Sequence, residues 1–474
     1  MAASTRKVSP RDVPAPADAL KLVFDAGTIV VEGLAEGDPR AIPGLRFDPR
    51  TGTHRAEAIW YRAIVEYLIG HNISRVDLAR GYEPIAWELR VAKQPFPHQQ
   101  EALEAWWQAG KRGVVVLPTG TGKTHLASLA IARAGRPALV VTPTIDLMNQ
   151  WYDELTLCFE TEVGMIGGGS HEPRPLAVTT YDSAYLHMER LGNQYGMIVF
   201  DECHHLPGPT YGLAATCSIA PFRLGLTATP ERADNAHMHS DLLIGPIVYR
   251  REIQQLRGRF LADYSVETLY VHLSQEDREA YERARETYRG FLQQSGIDMR
   301  RPNAWSQFLF AAGRSAEGRG AFQAYREQRR LALAAPAKLR LLAHLLEKHA
   351  RDRVLIFTHD NATVYTIARR FLVPVITHQT KAKERREVLR RFNEGVYPIV
   401  ATSRVLNEGV NVPEANVAII LSGSGSVREH VQRLGRVLRK SGDKHATLYE
   451  VITRGTNEEF TSSRRRQHGA YDGD

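Results

Sequence analysis

The chain has 474 residues, 43% of them hydrophobic and 24% charged, with a formal net charge of +8 and a pI near 9.3. That composition fits two to four globular domains, and the basic balance favours a polyanionic partner, nucleic acid ahead of a membrane because no amphipathic basic helix stands out. Three scattered cysteines, Cys158, Cys203 and Cys217, exclude a disulfide framework, a zinc ribbon and a four-cysteine iron–sulfur cluster. No apolar run is long enough to span a membrane, so a reducing, cytoplasmic setting is expected.

In chain order, residues 1–19 are polar and Pro/Ala-rich without a signal-peptide core, and read as a disordered lead-in. Residues 21–34 read as two short strands around Ala26-Gly27, and residues 57–72 have the apolar spacing of a helix. Residues 20–92 are therefore expected to form a small α+β domain. From about Gln94 short apolar runs alternate with helices: GVVVLP, ALVVTP, LAVTTY, MIVFDE and RLGLTAT. Such runs are the pattern of buried parallel strands joined by crossover helices, and each ends in a polar or Gly-rich tip where these sheets hold ligands. This predicts an α/β domain over 93–255. A helical stretch rich in Arg, Glu and aromatics occupies about 275–335. A second strand series follows (RVLIFTHD, VPVITH, YPIVATS, NVAIILSG, HATLYEVIT), giving a second α/β domain over 256–460 that carries the helical stretch as an insert. Residues 461–474 read as a flexible tail.

Four segments carry chemistry. PTGTGKT, formed by Pro118, Thr119, Gly120, Thr121, Gly122, Lys123 and Thr124, lies between a predicted strand and a predicted helix. Its glycines let backbone N–H groups turn inward around phosphates. Lys123 reaches the β- and γ-phosphates and Thr124 ligands Mg²⁺. Asp201 and Glu202 end the MIVF strand: the first carboxylate suits Mg²⁺ through water, the second suits polarising the attacking water. His204 and His205 have no third ligand at zinc spacing. Thr227 and Thr229 end another strand, where their hydroxyls could hydrogen-bond the Asp-Glu pair. In QRLGRVLRK, Arg436 and Arg439 share one helical face and suit transition-state charge at the γ-phosphate. Thr142, Thr144, Thr179, Thr180, Thr402 and Arg404 lie at strand tips that could grip a DNA backbone; ordinary helix capping is the competing explanation. The insert's aromatics at helical spacing read as core before base wedges.

Taken together, LPTGTGKTHLA, VFDECHH, LGLTATPERAD and NEGVNVPEANVAIILSGSGSVREHVQRLGRVLRK, with GTIVVEG near the N-terminus, resemble the XPB family of superfamily 2 DNA helicases in its bacterial and archaeal form. The resemblance covers about residues 21–452. It implies two RecA-like domains with parallel sheets and ATP in the cleft between them, a small N-terminal α+β domain like the family's damage-recognition domain, and a thumb-like helical insert. It implies that Gln99 reads adenine, although Phe96 and His98 stand where the family usually has Arg and Tyr, and that Gln432 joins the ATP set. Arg232 and Asp234 match the ends of an Arg-Glu-Asp motif tied to strand opening, with Ala233 in place of the carboxylate. The implied activity is ATP- and Mg²⁺-dependent 3′→5′ movement on or opening of DNA in repair, with a structure-specific nuclease as partner. An RNA helicase, a restriction-system motor subunit, a DNA-stimulated clamp that unwinds little and a non-catalytic DNA scaffold are the rival readings. Intact Lys123 and Glu202 argue against the scaffold.

Overall fold

The computed structural model describes residues 19–34, 41–90, 94–230, 239–256, 263–301, 303–403, 415–423 and 445–466. Its first two strands, β1 (Leu20–Asp25) and β2 (Thr28–Glu32), are joined by the expected turn. Ala26 and Gly27 sit at φ 45° and 78°, and two consecutive left-handed residues give the tight turn whose twist matches a hairpin. β3 (Arg46–Asp48), β4 (Thr53–Glu57) and β5 (Arg75–Asp77) complete a sheet of order β3-β4-β2-β1-β5. Leu20, Leu22, Ile29, Val31 and Ala56 alternate onto one face and pack against Ile64 and Leu68 of helix Tyr61–Gly70. The predicted helix start at residue 57 is replaced by a 3₁₀ turn, Ala58–Trp60, because β4 runs on to Glu57.

The chain divides into two compact units, Met1–Leu117 with Gly122–Arg250 and Arg251–Asp474 with Pro118–Thr121. In the first unit the small sheet is fastened to a larger one. A Cβ on Gly27 would lie 2.8 Å from Cys217 Sγ, so the turn presses directly on the neighbouring layer. Arg62 donates to Gly110 O at 2.7 Å, Asn193 Nδ2 to Ala79 O at 3.1 Å and Trp87 Nε1 to Arg136 O at 2.8 Å. The larger sheet comprises β6 (Arg112–Val116), β7 (Ala138–Thr142), β8 (Val163–Gly167), β9 (Ser170–His171), β10 (Leu176–Thr180), β11 (Met197–Asp201), β12 (Phe222–Thr227) and β13 (Ile247–Arg250). Its order is β13-β6-β12-β11-β7-β10-β8-β9. Every pair is parallel except β8–β9. Every residue of β7, β10 and β11 is buried, as strands covered on both faces must be.

The second unit contains β14 (Asp263–Val271), β15 (Val354–Phe357), β16 (Val375–Ile376), β17 (Ile399–Thr402), β18 (Val417–Ile420) and β19 (His445–Thr453) in the all-parallel order β14-β19-β18-β15-β17-β16. Between β14 and β15 lie the insert helices Gln275–Gln294, Ala304–Arg314 and Ala316–Leu333, then helix Pro336–Lys348. Phe308 is buried at the centre of the insert, with Tyr288 edge-on at 5.3 Å and Phe291, Tyr325 and Phe322 between 6.1 and 6.3 Å. Phe308 is core, as its helical spacing implied; Tyr288, Phe291, Phe322 and Tyr325 are partly buried against it, and Trp305 and Phe310 are exposed.

A buried ion pair anchors this unit. Lys338 and Glu458, each with a side chain 1% exposed, meet at 2.6 Å. Lys338 also donates to Val451 O and Leu421 O, and Thr453 N donates to Glu458 Oε2. Glu458 belongs to helix Asn457–Arg466. That helix corrects the expected tail: residues 461–466 continue it, because buried Ser462 donates to Glu450 Oε1 at 2.9 Å and holds the turn on the sheet. Residues 1–18 and 467–474 lie outside the described residues. Lys338→Met should strand a buried Glu458 carboxylate and destabilise the protein by about 3–5 kcal/mol. Adding Glu458→Leu should recover much of that loss. Denaturant unfolding measures both, and a Lys338→Met protein as stable as wild type would contradict the pair's role.

Candidate active site

β6 runs straight into the phosphate-loop sequence, and helix Lys123–Ala134 leaves it. Gly120 and Gly122 have φ 87° and 81°, a region that favours glycine. A Cβ on Gly122 would also fall 2.3 Å from Gln99 Nε2, so this position excludes any larger residue twice over. Thr121 Oγ1 donates to Pro118 O at 2.8 Å. The first helical amides after Gly122 point out of the helix with its positive dipole end, a ready anion seat. Lys123 Nζ donates to Leu117 O at 3.2 Å, and Thr124 follows in the first helical turn.

Gln99 is drawn into the same structure. Its Oε1 accepts from Phe96 N at 2.9 Å, closing the start of helix Pro97–Gln108, and its Nε2 donates to Gly122 O at 3.0 Å. These two bonds fix the Gln99 amide against the phosphate loop.

β11 delivers Asp201 and Glu202 to the same edge of the sheet, because β6, β12 and β11 are parallel neighbours. Asp201 is buried: Oδ1 accepts from Glu202 N at 2.9 Å and Oδ2 from Trp151 Nε1 at 2.7 Å. Burial, reinforced by the adjacent Glu202 charge and opposed by Lys123, pushes its carboxyl up to about 6. Each oxygen keeps a second lone pair, so the carboxylate fits a hydrated cation shared with the Thr124 hydroxyl.

Glu202 sits at φ 44°, a left-handed conformation that costs a non-glycine residue about 1 kcal/mol or more. The strain turns the chain into the short turn Cys203–His205 and aims the carboxylate at Lys123, 3.9 Å from Oε1. Buried Oε2 accepts no hydrogen bond from the described residues. His204 Nδ1 lies 3.5 Å from it but is turned to Thr227 Oγ1 at 3.0 Å. Thr227 in turn donates to Thr229 O at 3.2 Å, and Leu117 N donates to Thr227 O at 2.9 Å. The sequence suggested that these hydroxyls touch the Asp-Glu pair; the structure inserts His204 between Thr227 and Glu202. Trp151 and His204 were the two contributors that sequence reasoning missed as site residues. Nothing in the spacing of Trp151 marks it, since helix Ile145–Cys158 brings it to Asp201 only through the fold. Among the described residues no group of three or more His, Cys, Asp or Glu could hold a metal ion.

The strand-tip threonines divide. Thr142, Thr179 and Thr402 are fully buried and donate internally, Thr142 to Thr179 O, Thr179 to Ile166 O and Thr402 to Ser403 O. Thr144 and Thr180 cap helices Ile145–Cys158 and Tyr181–Leu191, accepting from Leu147 N and Ser183 N at 3.2 Å each. Capping explains those two hydroxyls. Arg232, Ala233, Asp234, Arg404, Gln432, Arg436 and Arg439 lie outside the described residues.

Three family models match the chain: the Xeroderma pigmentosum group B helicase damage recognition domain over residues 22–79, the type III restriction enzyme res subunit over 92–232 and the helicase conserved C-terminal domain over 337–441. The "DNA 3'-5' translocase XPB2" of Sulfurisphaera tokodaii is 36% identical over 446 residues, which cover 92% of this chain and 98% of that one. The "DNA 3'-5' helicase XPB" of Kineococcus radiotolerans is 31% identical over 84% of this chain and 65% of its own length. An Arabidopsis thaliana XPB subunit of the general transcription and DNA repair factor IIH is 24% identical, and the match spans 50% of it. Among solved structures the Pyrococcus furiosus Hef helicase domain superposes with a TM-score of 0.55 over 78% of this chain and 98% of its own, at 19% identity, which is a likeness of fold. With a relative matched almost end to end and the damage-recognition model on its first sheet, the chain belongs to the XPB family of DNA helicases.

Proposed function

We propose that this protein is an ATP-driven DNA motor that moves 3′→5′ and serves DNA repair. The observation that carries the chemical part is the buried Glu202 carboxylate, with Oε1 3.9 Å from Lys123 and Oε2 without a hydrogen bond among the described residues, at the mouth of a glycine-built phosphate loop. Backbone amides of Gly120–Lys123 and the Lys123 ammonium hold the phosphates. Glu202 Oε2 accepts the hydrogen bond of the attacking water and orients it in line with the γ-phosphate. Thr124 and Asp201 are the residues suited to Mg²⁺, which would neutralise charge on the β- and γ-oxygens when bound. Gln99, held against the phosphate loop by its bond to Gly122 O, reads adenine by motif. Arg436, Arg439 and Gln432 complete the set by motif, the two arginines meeting transition-state charge. His204 links the Glu202 carboxylate to Thr227 and so to the β12 tip, from which the chain runs on toward Arg232 and Asp234. Residues 20–92 serve as the damage-recognition-like domain. DNA is held by helix N-termini at Thr144 and Thr180 through its phosphates, which gives grip without sequence readout. Relatives named helicase or translocase for DNA support DNA over RNA.

An ATPase panel on single-stranded, duplex and forked DNA and on RNA tests the reading. DNA should stimulate hydrolysis several-fold over RNA, whereas no hydrolysis with any nucleic acid and Mg²⁺ would overturn the motor. Lys123→Ala and Glu202→Gln should each lower the DNA-stimulated rate by about 10²–10⁴-fold. Because burial and the adjacent Glu202 charge push the Asp201 carboxyl up to about 6, it is protonated on the acid side. The rate should therefore fall as pH drops below about 6 at low Mg²⁺, and excess Mg²⁺, competing with that proton, should shift the fall to lower pH. A profile level down to pH 5 at both Mg²⁺ concentrations would count against this assignment. Since Ala233 replaces a carboxylate, wild type should translocate better than it separates strands. Ala233→Glu should raise strand displacement, and a strand-displacement assay showing no gain would remove Ala233 as the limiting residue.

A further inference from the structure

We propose that a cavity in the second unit receives one unstacked base of the DNA strand on which the motor moves, an inference that rests on the DNA-motor reading. The cavity encloses about 370 Å³ and is walled by Tyr288, Tyr325, Gln328 and Arg329 of the helical insert, by His359 just beyond β15 and by Gly423 just beyond β18. That volume lies within the range of small-ligand pockets, roughly 300–1,000 Å³, and cannot admit a duplex. His359 and Gly423 put it at the C-terminal edge of a parallel sheet, the edge where such sheets bind ligands.

Gln328 is the unusual member. It is 3% exposed, yet its side-chain amide makes no hydrogen bond among the described residues and its Oε1 is fully shielded. Buried polar groups in folded proteins are nearly all paired, and a partnerless amide bordering a cavity is what a ligand-binding wall looks like before the ligand arrives. An amide offers a donor and an acceptor together, which matches the edge of any nucleobase. The other walls suit a flat π-system. Tyr288 and Tyr325 have ring centroids 5.2 Å apart at 49°, and Arg329 donates to Tyr325 Oη at 2.8 Å, bringing a guanidinium to the rings. Aromatic faces stack on bases regardless of sequence, and a guanidinium adds to stacking and attracts the phosphate backbone. Glu458 also borders the cavity, but Lys338 neutralises it, so no unpaired carboxylate repels a polyanion. A base held here would lie beside helix Asn457–Arg466, whose Glu458 borders the cavity and is held by Lys338.

The test scans a single abasic position along an otherwise constant single-stranded DNA and measures affinity by fluorescence anisotropy. Wild type should lose about tenfold in affinity when the abasic residue falls at one position and little elsewhere. Gln328→Leu, which removes the unpaired amide at similar volume, should flatten that profile while its melting temperature stays at or above wild type. Should Gln328→Leu not fold, Arg329→Gln, at a half-buried position, should flatten the profile in its place. Millimolar 2′-deoxyadenosine should not displace the DNA. A flat wild-type profile, or a Gln328→Leu profile identical to wild type, overturns the proposal, and displacement by the free nucleoside would reassign the cavity to a soluble ligand. Failure of the motor reading shows separately, as absence of DNA stimulation in the wild-type ATPase assay.

Discussion

Two carboxylates buried side by side, Asp201 and Glu202, set the terms for the first unit. Like charges in a poorly solvated site repel, and burial makes the Asp201 carboxyl harder to ionise. The fold meets this with unequal treatment. Asp201 takes hydrogen bonds from Trp151 and the Glu202 amide and is still pushed up to about 6. Glu202 is given Lys123 at 3.9 Å, and among the described residues its other oxygen has no donor. One carboxylate is thereby suited to a cation and its neighbour to a water, although they are adjacent in sequence.

That division depends on strand order. β12 lies between β6 and β11, so the phosphate loop and the acidic pair flank the Thr227 tip. Leu117 N bonds Thr227 O on one side and His204 meets the Thr227 hydroxyl on the other. A change at Glu202 therefore has a short route, through one imidazole, to the segment that leads toward Arg232. The left-handed backbone at Glu202 is the local strain that makes the route possible, since an extended continuation of β11 would carry the carboxylate away from Lys123.

The second unit solves a different problem, holding a three-helix insert firmly against a parallel sheet. Thr453 donates to Ala332 O and Asn457 N to Tyr281 Oη, and beside these bonds Lys338 and Glu458 join the helix that follows the insert to helix Asn457–Arg466. The insert's aromatic residues fill its own centre around Phe308, and the rings left at its root border the cavity that contains Gln328. Rigid anchoring and a small polar-walled cavity are thus products of the same packing.

Much of the chemistry was legible in the residues alone. Period-2 and continuous apolar runs marked β1, β2, β6, β7, β10, β11 and β12, because buried parallel strands admit few polar residues. The phosphate loop, the acidic pair and the family were readable because phosphate binding demands glycines, a lysine and a hydroxyl at fixed spacing. The edge strand β13 and the glycine-containing β8 were not, since their burial patterns carry no clear period. Nor were the partners of the site: Trp151 is fifty positions before Asp201, and His204 could have faced anywhere after a tight turn. The strand-tip threonines show the limit most plainly. Sequence put Thr142 and Thr144 two residues apart in the same role, but the fold buries one hydroxyl against a neighbouring strand and spends the other on a helix start. Local spacing determines which groups a strand tip can offer; only packing determines which of them still face outward once the backbone has claimed its hydrogen bonds.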